Sequence, residues 1–164
     1  MSTSTARKPR PASTRLRRGV GLLVINKDGL ILTGLRHHSS GNAAWQLPQG
    51  GLEFKEQPLA AAYRELTEET GILPEEVELI ATHPNWTTYI LPPEFITRAR
   101  FKGQRHKWFV FKYLPDDMPD LAKAQDKEFD ELKWATASWI YENTISFRQP
   151  IYREVFKTYA DIIA

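Results

Sequence analysis

The 164-residue chain contains no cysteine. Disulfides, thiolate metal sites and a cysteine nucleophile are excluded at once, and a reducing compartment such as the cytoplasm is the natural setting. No apolar run approaches the roughly 18 residues that cross a bilayer, so no membrane partner is expected. No internal repeat is visible. Acid is missing from the first 18 residues, MSTSTARKPRPASTRLRR, which carry six Lys and Arg. With 22 basic and 20 acidic residues in all, the remainder holds sixteen basic against twenty acidic, a net of −4. The slight positive balance therefore sits wholly in this tail, which is too polar to fold alone. It has no apolar h-region and so is no secretory signal. Residues 1–17 are expected to be a basic, disordered arm and 18–164 the folded domain. A targeting segment that would place the protein in an organelle, or an arm for a polyanion such as RNA, are the alternatives.

Hydrophobic residues make up 41% of the chain, enough for one domain with a core of its own. GVGLLVI (19–25) and LILTGL (30–35) read as strands joined by the hairpin signal NKDG. The spacing predicts a helix from Pro58 to a Gly71 cap. A long strand or bent strand pair is expected over 77–91, an irregular stretch over 92–106, strands over 107–114 and 128–136, and a loop between those two. Ser138 is placed as the cap of a short helix ending at Tyr141. A second long helix is expected from Phe147 to Ile163, with Ile151, Tyr152, Val155, Phe156, Tyr159 and Ile162 on one apolar stripe. The order of strands, helix, strands, helix suggests α+β or layered α/β, with a mostly non-parallel sheet between helices.

The first helix carries an oddity. Glu65, Glu68 and Glu69 fall within roughly 100° of arc on a helical projection. They also lie at its C-terminal end, where like charges repel and the macrodipole disfavours anions. A solvated acidic face is the plain reading. A hard divalent cation, bound through oxygen ligands and substrate phosphates, would reverse both penalties. Spacing alone leaves these two readings open.

The surrounding pattern is Gly50, Glu56, Arg64-Glu65-Leu66, Glu68-Glu69 and Gly71-Ile72, nine fixed positions over 23 residues. It resembles the Nudix box without a departure. Resemblance to the Nudix hydrolase family implies the α/β class, as an α/β/α sandwich with a mixed central sheet, and Mg²⁺- or Mn²⁺-dependent hydrolysis of a nucleoside diphosphate linked to another group. By the motif's roles Glu65, Glu68 and Glu69 would be metal ligands. Arg64 and Glu56 would pair to brace the loop against the helix. Gly50 would let the loop backbone approach the metal, through a left-handed conformation or a close contact. Glu68 is a catalytic candidate with Arg64 and Glu56.

Trp45-Gln46-Leu47-Pro48-Gln49-Gly50-Gly51, Gly103-Gln104 with Lys107-Trp108-Phe109, and Glu128-Phe129-Asp130 with Trp134 extend the resemblance. These runs are similar to those of one subgroup, the dinucleoside polyphosphate hydrolases and bacterial RNA pyrophosphohydrolases. Glu128 would then be the further acidic ligand or general base. Tyr89 and Phe147 would clamp a base, and Arg17, Arg36, Gln104, Lys107 and Arg148 would contact phosphates or a second base. His37 and His38 are read as surface residues. The segment 84–105 is expected to shape one wall of the substrate site. The leading expectation is hydrolysis of dinucleoside polyphosphates such as Ap4A. The alternative is removal of pyrophosphate from 5′-triphosphate RNA. No obligate protein partner is expected. A binding module that lost its chemistry should lack a glutamate of the box, and none is missing. A hydrolase of sugar nucleotides or oxidised nucleotides fits the additional runs less well.

Overall fold

Side chains alternate across a strand, so a strand apolar on both faces must be covered on both. β1 (Leu16–Ile25) has that pattern in the computed structural model, which describes residues 15–93 and 101–164. Val20, Leu22 and Val24 join one core cluster, and Leu23 and Ile25 the other. The remaining strands are β2 (Ile31–Arg36), β3 (Trp45–Gln46), β4 (Gln49–Gly51), β5 (Val77–Thr82), β6 (Thr87–Ile90), β7 (Gly103–Tyr113) and β8 (Phe129–Ala135). Together they form one sheet. β1 pairs with β7 in parallel, while β2, β4, β5, β6 and β8 find antiparallel partners, so the sheet is mixed.

Helix α1 (Pro58–Thr70) buries Ala61, Ala62 and Leu66 against one face, with Phe109, Phe111 and Val24. Helices α2 (Ala137–Glu142) and α3 (Gln149–Thr158) cover the other face through Ile140, Ile151, Tyr152 and Val155, against Trp108 and Val110. The result is the expected α/β/α sandwich with a mixed central sheet.

Several boundaries differ from the sequence reading. Over 77–91, however, the strand pair offered as one of the two readings is present as β5 and β6, both paired with β7. β7 begins at Gly103, inside the stretch expected to be irregular. Its polar start hides the strand pattern, but main-chain pairing to β1 and β6 extends it. The α2 cap is Thr136, whose hydroxyl accepts from Trp139 N–H at 3.2 Å, not Ser138. The long final helix is instead a 3₁₀ turn (Ser146–Arg148) followed by α3, and Ile162 lies beyond it, exposed. Leu59, in the first turn of α1, is exposed. Leu16 and Arg17 pair with Gly103 and Gln104, inside the sheet rather than in the tail. The readings of residues 1–14 and of 94–100 lie outside the described residues.

One backbone position predicts a gain. Lys55, in the loop before α1, has φ of +59°. A left-handed conformation costs a residue with a Cβ about 1–2 kcal/mol. Lys55→Gly relieves that cost against glycine's larger chain entropy. A stabilisation of roughly 0.5–1 kcal/mol is expected in urea unfolding; a loss of stability would contradict it.

Candidate functional site

The site is assembled where the C-terminal half of α1 meets β4 and the loop before it. Pro58 opens α1 and Gly71, at φ +77°, ends it with its N–H on Thr67 O. Between them the Arg64 side chain grips both sides of the junction. Its Nε donates to Glu56 Oε2 and its Nη2 to Glu56 Oε1, each at 2.8 Å, a two-pronged pair. Nη2 also reaches Gly51 O at 2.8 Å, and Nη1 reaches Glu65 Oε1 and Glu68 Oε2 at 2.9 Å. One guanidinium thus ties loop, strand and acidic helix together. The pairing holds the Glu56 carboxyl below its ordinary range.

The glutamates of α1 do not form a solvated face. Glu65 and Glu69 are buried, and Glu68 is partly exposed. Burial pushes the Glu65 carboxyl up to about 7, against the opposing pull of Arg64. Glu69 is driven well above its usual range by burial and then by Glu65. One Glu69 oxygen accepts the Gln49 N–H at 3.0 Å. Gly50 makes this approach possible. A Cβ there would stand 1.9 Å from the Glu65 carboxylate carbon. Gly50 is not among the positive-φ glycines, so its need is for space and not for a left-handed conformation.

A cavity of about 330 Å³ opens beside these carboxylates. Of the residues singled out in the sequence, it is lined by Arg17, Arg36, Gly50, Glu65, Glu69, Gln104, Glu128 and Arg148. Arg148 is only 7% exposed, yet its Nε and Nη1 have no hydrogen-bond partner. A buried guanidinium with free donors is costly unless an anion completes it.

Other candidates stand elsewhere. Lys107 is not brought to the cavity; its ammonium donates to Pro84 O at 3.5 Å. β7 alternation explains this, because Gln104 and His106 face the cavity and Lys107 points the other way. Tyr89 and Phe147 touch each other, ring centroids 5.1 Å apart at 34°, and Tyr89 is buried in the core. A base slotted between them would require the two rings to separate. His37 pairs with Asp130 at the exposed loop after β2.

Gln46, His106 and Asp126 are among the lining residues with no role assigned from sequence. Gln46 is fully buried and has an unpartnered Oε1, while its Nε2 is 3.4 Å from Glu128 Oε1. His106 is buried, and its imidazole is pushed down to about 3 by burial and then by Arg148 and Arg17, so it is neutral. Asp126 comes from the β7–β8 loop. Gln46 stood inside a matching run and His106 between the two parts of another; Asp126 gave no signal. Carboxylate oxygens of Glu65, Glu68 and Asp126 lie within 4.8 Å of one another. That all-oxygen donor set fits a hard divalent cation.

Acidic groups on one side and basic groups on the other, set on this sandwich, define the class. The NUDIX domain matches residues 15–156, and the chain belongs to the NUDIX family. An RNA pyrophosphohydrolase of Cereibacter sphaeroides is 40% identical over 157 residues, covering 94% of this chain and 96% of that protein. Nudix hydrolase 25 of Arabidopsis thaliana is 36% identical over 157 residues, covering 90% and 87%. Among solved structures, a C. elegans Ap4A hydrolase superposes with a TM-score of 0.65 at 20% identity, over 89% of this chain and 99% of that one. An E. coli dihydroneopterin triphosphate pyrophosphohydrolase gives 0.68 at 19%, over 88% and 97%. These structural likenesses bear on the fold.

Proposed function

We propose that this Nudix hydrolase is an RNA 5′-pyrophosphohydrolase, which uses water to convert a 5′-triphosphate RNA end to a 5′-monophosphate and pyrophosphate. The observation that carries a polyphosphate substrate is the meeting of two unmet demands in one cavity. Arg148 has free buried donors on one side, and crowded carboxylates lack a sufficient counter-charge on the other. A phosphate chain bridged to a divalent cation answers both. The choice of RNA over dinucleoside polyphosphates, the leading expectation from sequence, follows the names of the relatives at up to 40% identity along nearly the whole chain.

Glu65, Glu68 and Glu69 would hold the cation, Mg²⁺ or Mn²⁺. When bound, it neutralises phosphate charge and lowers the pKa of a bound water. The chain's own residues do the remaining work. Arg17, Arg36 and Arg148 would bind phosphate oxygens, fixing the phosphorus for in-line attack. Glu128, at the cavity wall, would accept the proton of the attacking water. Neutral His106 and Gln104 add polar contacts without more charge. The basic residues ahead of β1 would favour a polyanion over a small nucleotide.

Purified protein with Mg²⁺ should be assayed on 5′-triphosphate RNA and on Ap4A, with products identified. Release of pyrophosphate from RNA at a kcat/KM at least tenfold above that on Ap4A is expected. The reverse preference returns the assignment to dinucleoside polyphosphates.

A further inference from the structure

Asp126 has no role in the chemistry above, yet its carboxylate gathers with those of Glu65 and Glu68. Its loop is fixed there by the backbone. Near the end of α1 the Glu68 carbonyl lacks an intrahelical donor, the usual state of a helix's last turn. It accepts instead from Gln125 N–H at 3.0 Å and from Asp126 N–H at 2.9 Å. The loop therefore caps the helix, and the cap delivers the Asp126 side chain to the carboxylates. Its oxygen is within 4.8 Å of oxygens on both Glu65 and Glu68. Opposite ligands of Mg²⁺ stand about 4.2 Å apart, so a small closure completes the set. Among the described residues, Asp126 makes no ion pair with a base. Its charge adds instead to those opposing ionisation of Glu65, and of Glu69 behind the larger effect of Glu128. Glu128 lies outside this trio; its Oε1 is near the Gln46 amide.

The geometry points to Asp126, rather than Glu128, as the carboxylate that the β7–β8 loop gives to the divalent cation. A second observation marks the same cavity as a place for ligand atoms. Arg148 Nε and Nη1, and Gln46 Oε1, are buried and unpartnered on its wall, their side chains 7% and 1% exposed. Asp126 would then complete the cation site from the β7–β8 loop, leaving Glu128 free to take a proton. The inference rests on the metal-dependent reading of the site.

Manganese binding to the metal-stripped full-length protein tests it, by the paramagnetic resonance of free Mn²⁺ and by the rise in Tm that the metal causes. Asp126→Asn keeps size and backbone and removes the charge; Asp126→Ser is a second variant should the first fail to fold. Loss even of an outer-shell partner of a metal ligand typically weakens affinity about 10–100-fold, so loss of a ligand should cost no less. A Kd for Mn²⁺ raised at least tenfold is expected in either variant, with the metal-induced Tm rise correspondingly reduced. Glu128→Gln should change the Kd less than threefold. Parent-like Mn²⁺ binding in the Asp126 variants, or a tenfold loss in Glu128→Gln alone, overturns the inference and leaves the proposed function standing. A parent protein that binds no manganese removes both.

Discussion

Glu65→Gln is expected to lower metal-supported turnover of 5′-triphosphate RNA by about 10²–10³-fold, the several kcal/mol that a correctly held cation gives to developing charge. The same substitution should leave a separate mark on the metal-free protein. The folded-state pKa of Glu65 is about 7 against an ordinary 4.5, so between these values the folded chain binds more protons than the unfolded one. Stability contributed at this position then falls as pH rises from 4.5 to 7. Glutamine cannot ionise and escapes that loss. Without metal, Glu65→Gln should melt above the parent by a margin that widens from pH 4.5 to 7. Added Mg²⁺ or Mn²⁺ should reverse the order by stabilising only the parent. Calorimetry at several pH values, with and without metal, checks both signs. A margin that ignores pH and metal would mean that Glu65 neither pays for burial nor holds a cation.

Arg64→Ala should be the most destabilising single change at the site. It leaves Glu56, Glu65 and Glu68 without their shared cation and removes the tie to Gly51 O. Stranding buried carboxylates in this way costs about 3–5 kcal/mol, and the lower end applies because 22% of the Arg64 side chain is exposed. Arg64→Lys keeps the charge but cannot make the two-pronged pair with Glu56, so an intermediate loss is expected. Urea unfolding at pH 7 measures both. A loss below about 1 kcal/mol for Arg64→Ala would show that loop and helix are held together by other contacts.

The acidic helix was legible because its pattern is local. A 23-residue stretch contains the bracing arginine, its partner Glu56 and the three glutamates, and helical geometry then places them. The two apolar layers were legible for a similar reason, since β1 and α3 carry their periodicity in consecutive residues. What escaped depends on distant pairing. The start of β7 owes its strand form to β1 and β6, not to its own side chains. Lys107 sat in a matching run, but strand alternation turns it away from the cavity. Tyr89 and Phe147 could be brought together on paper, yet core burial makes them each other's neighbours. Asp126 lies in a polar loop whose place is set by hydrogen bonds to a helix more than fifty residues earlier.

The parallel pairing of β1 with β7 carries a consequence for how the protein folds. In its register Arg17 stands opposite Gln104, and Gly19 opposite His106. Closing so long a loop is entropically unfavourable until other contacts repay it, which slows folding. The basic wall of the cavity can form only after the chain has been made at least as far as β7. A nascent or truncated chain that stops before Gly103 would hold the acidic helix but not the wall that faces it.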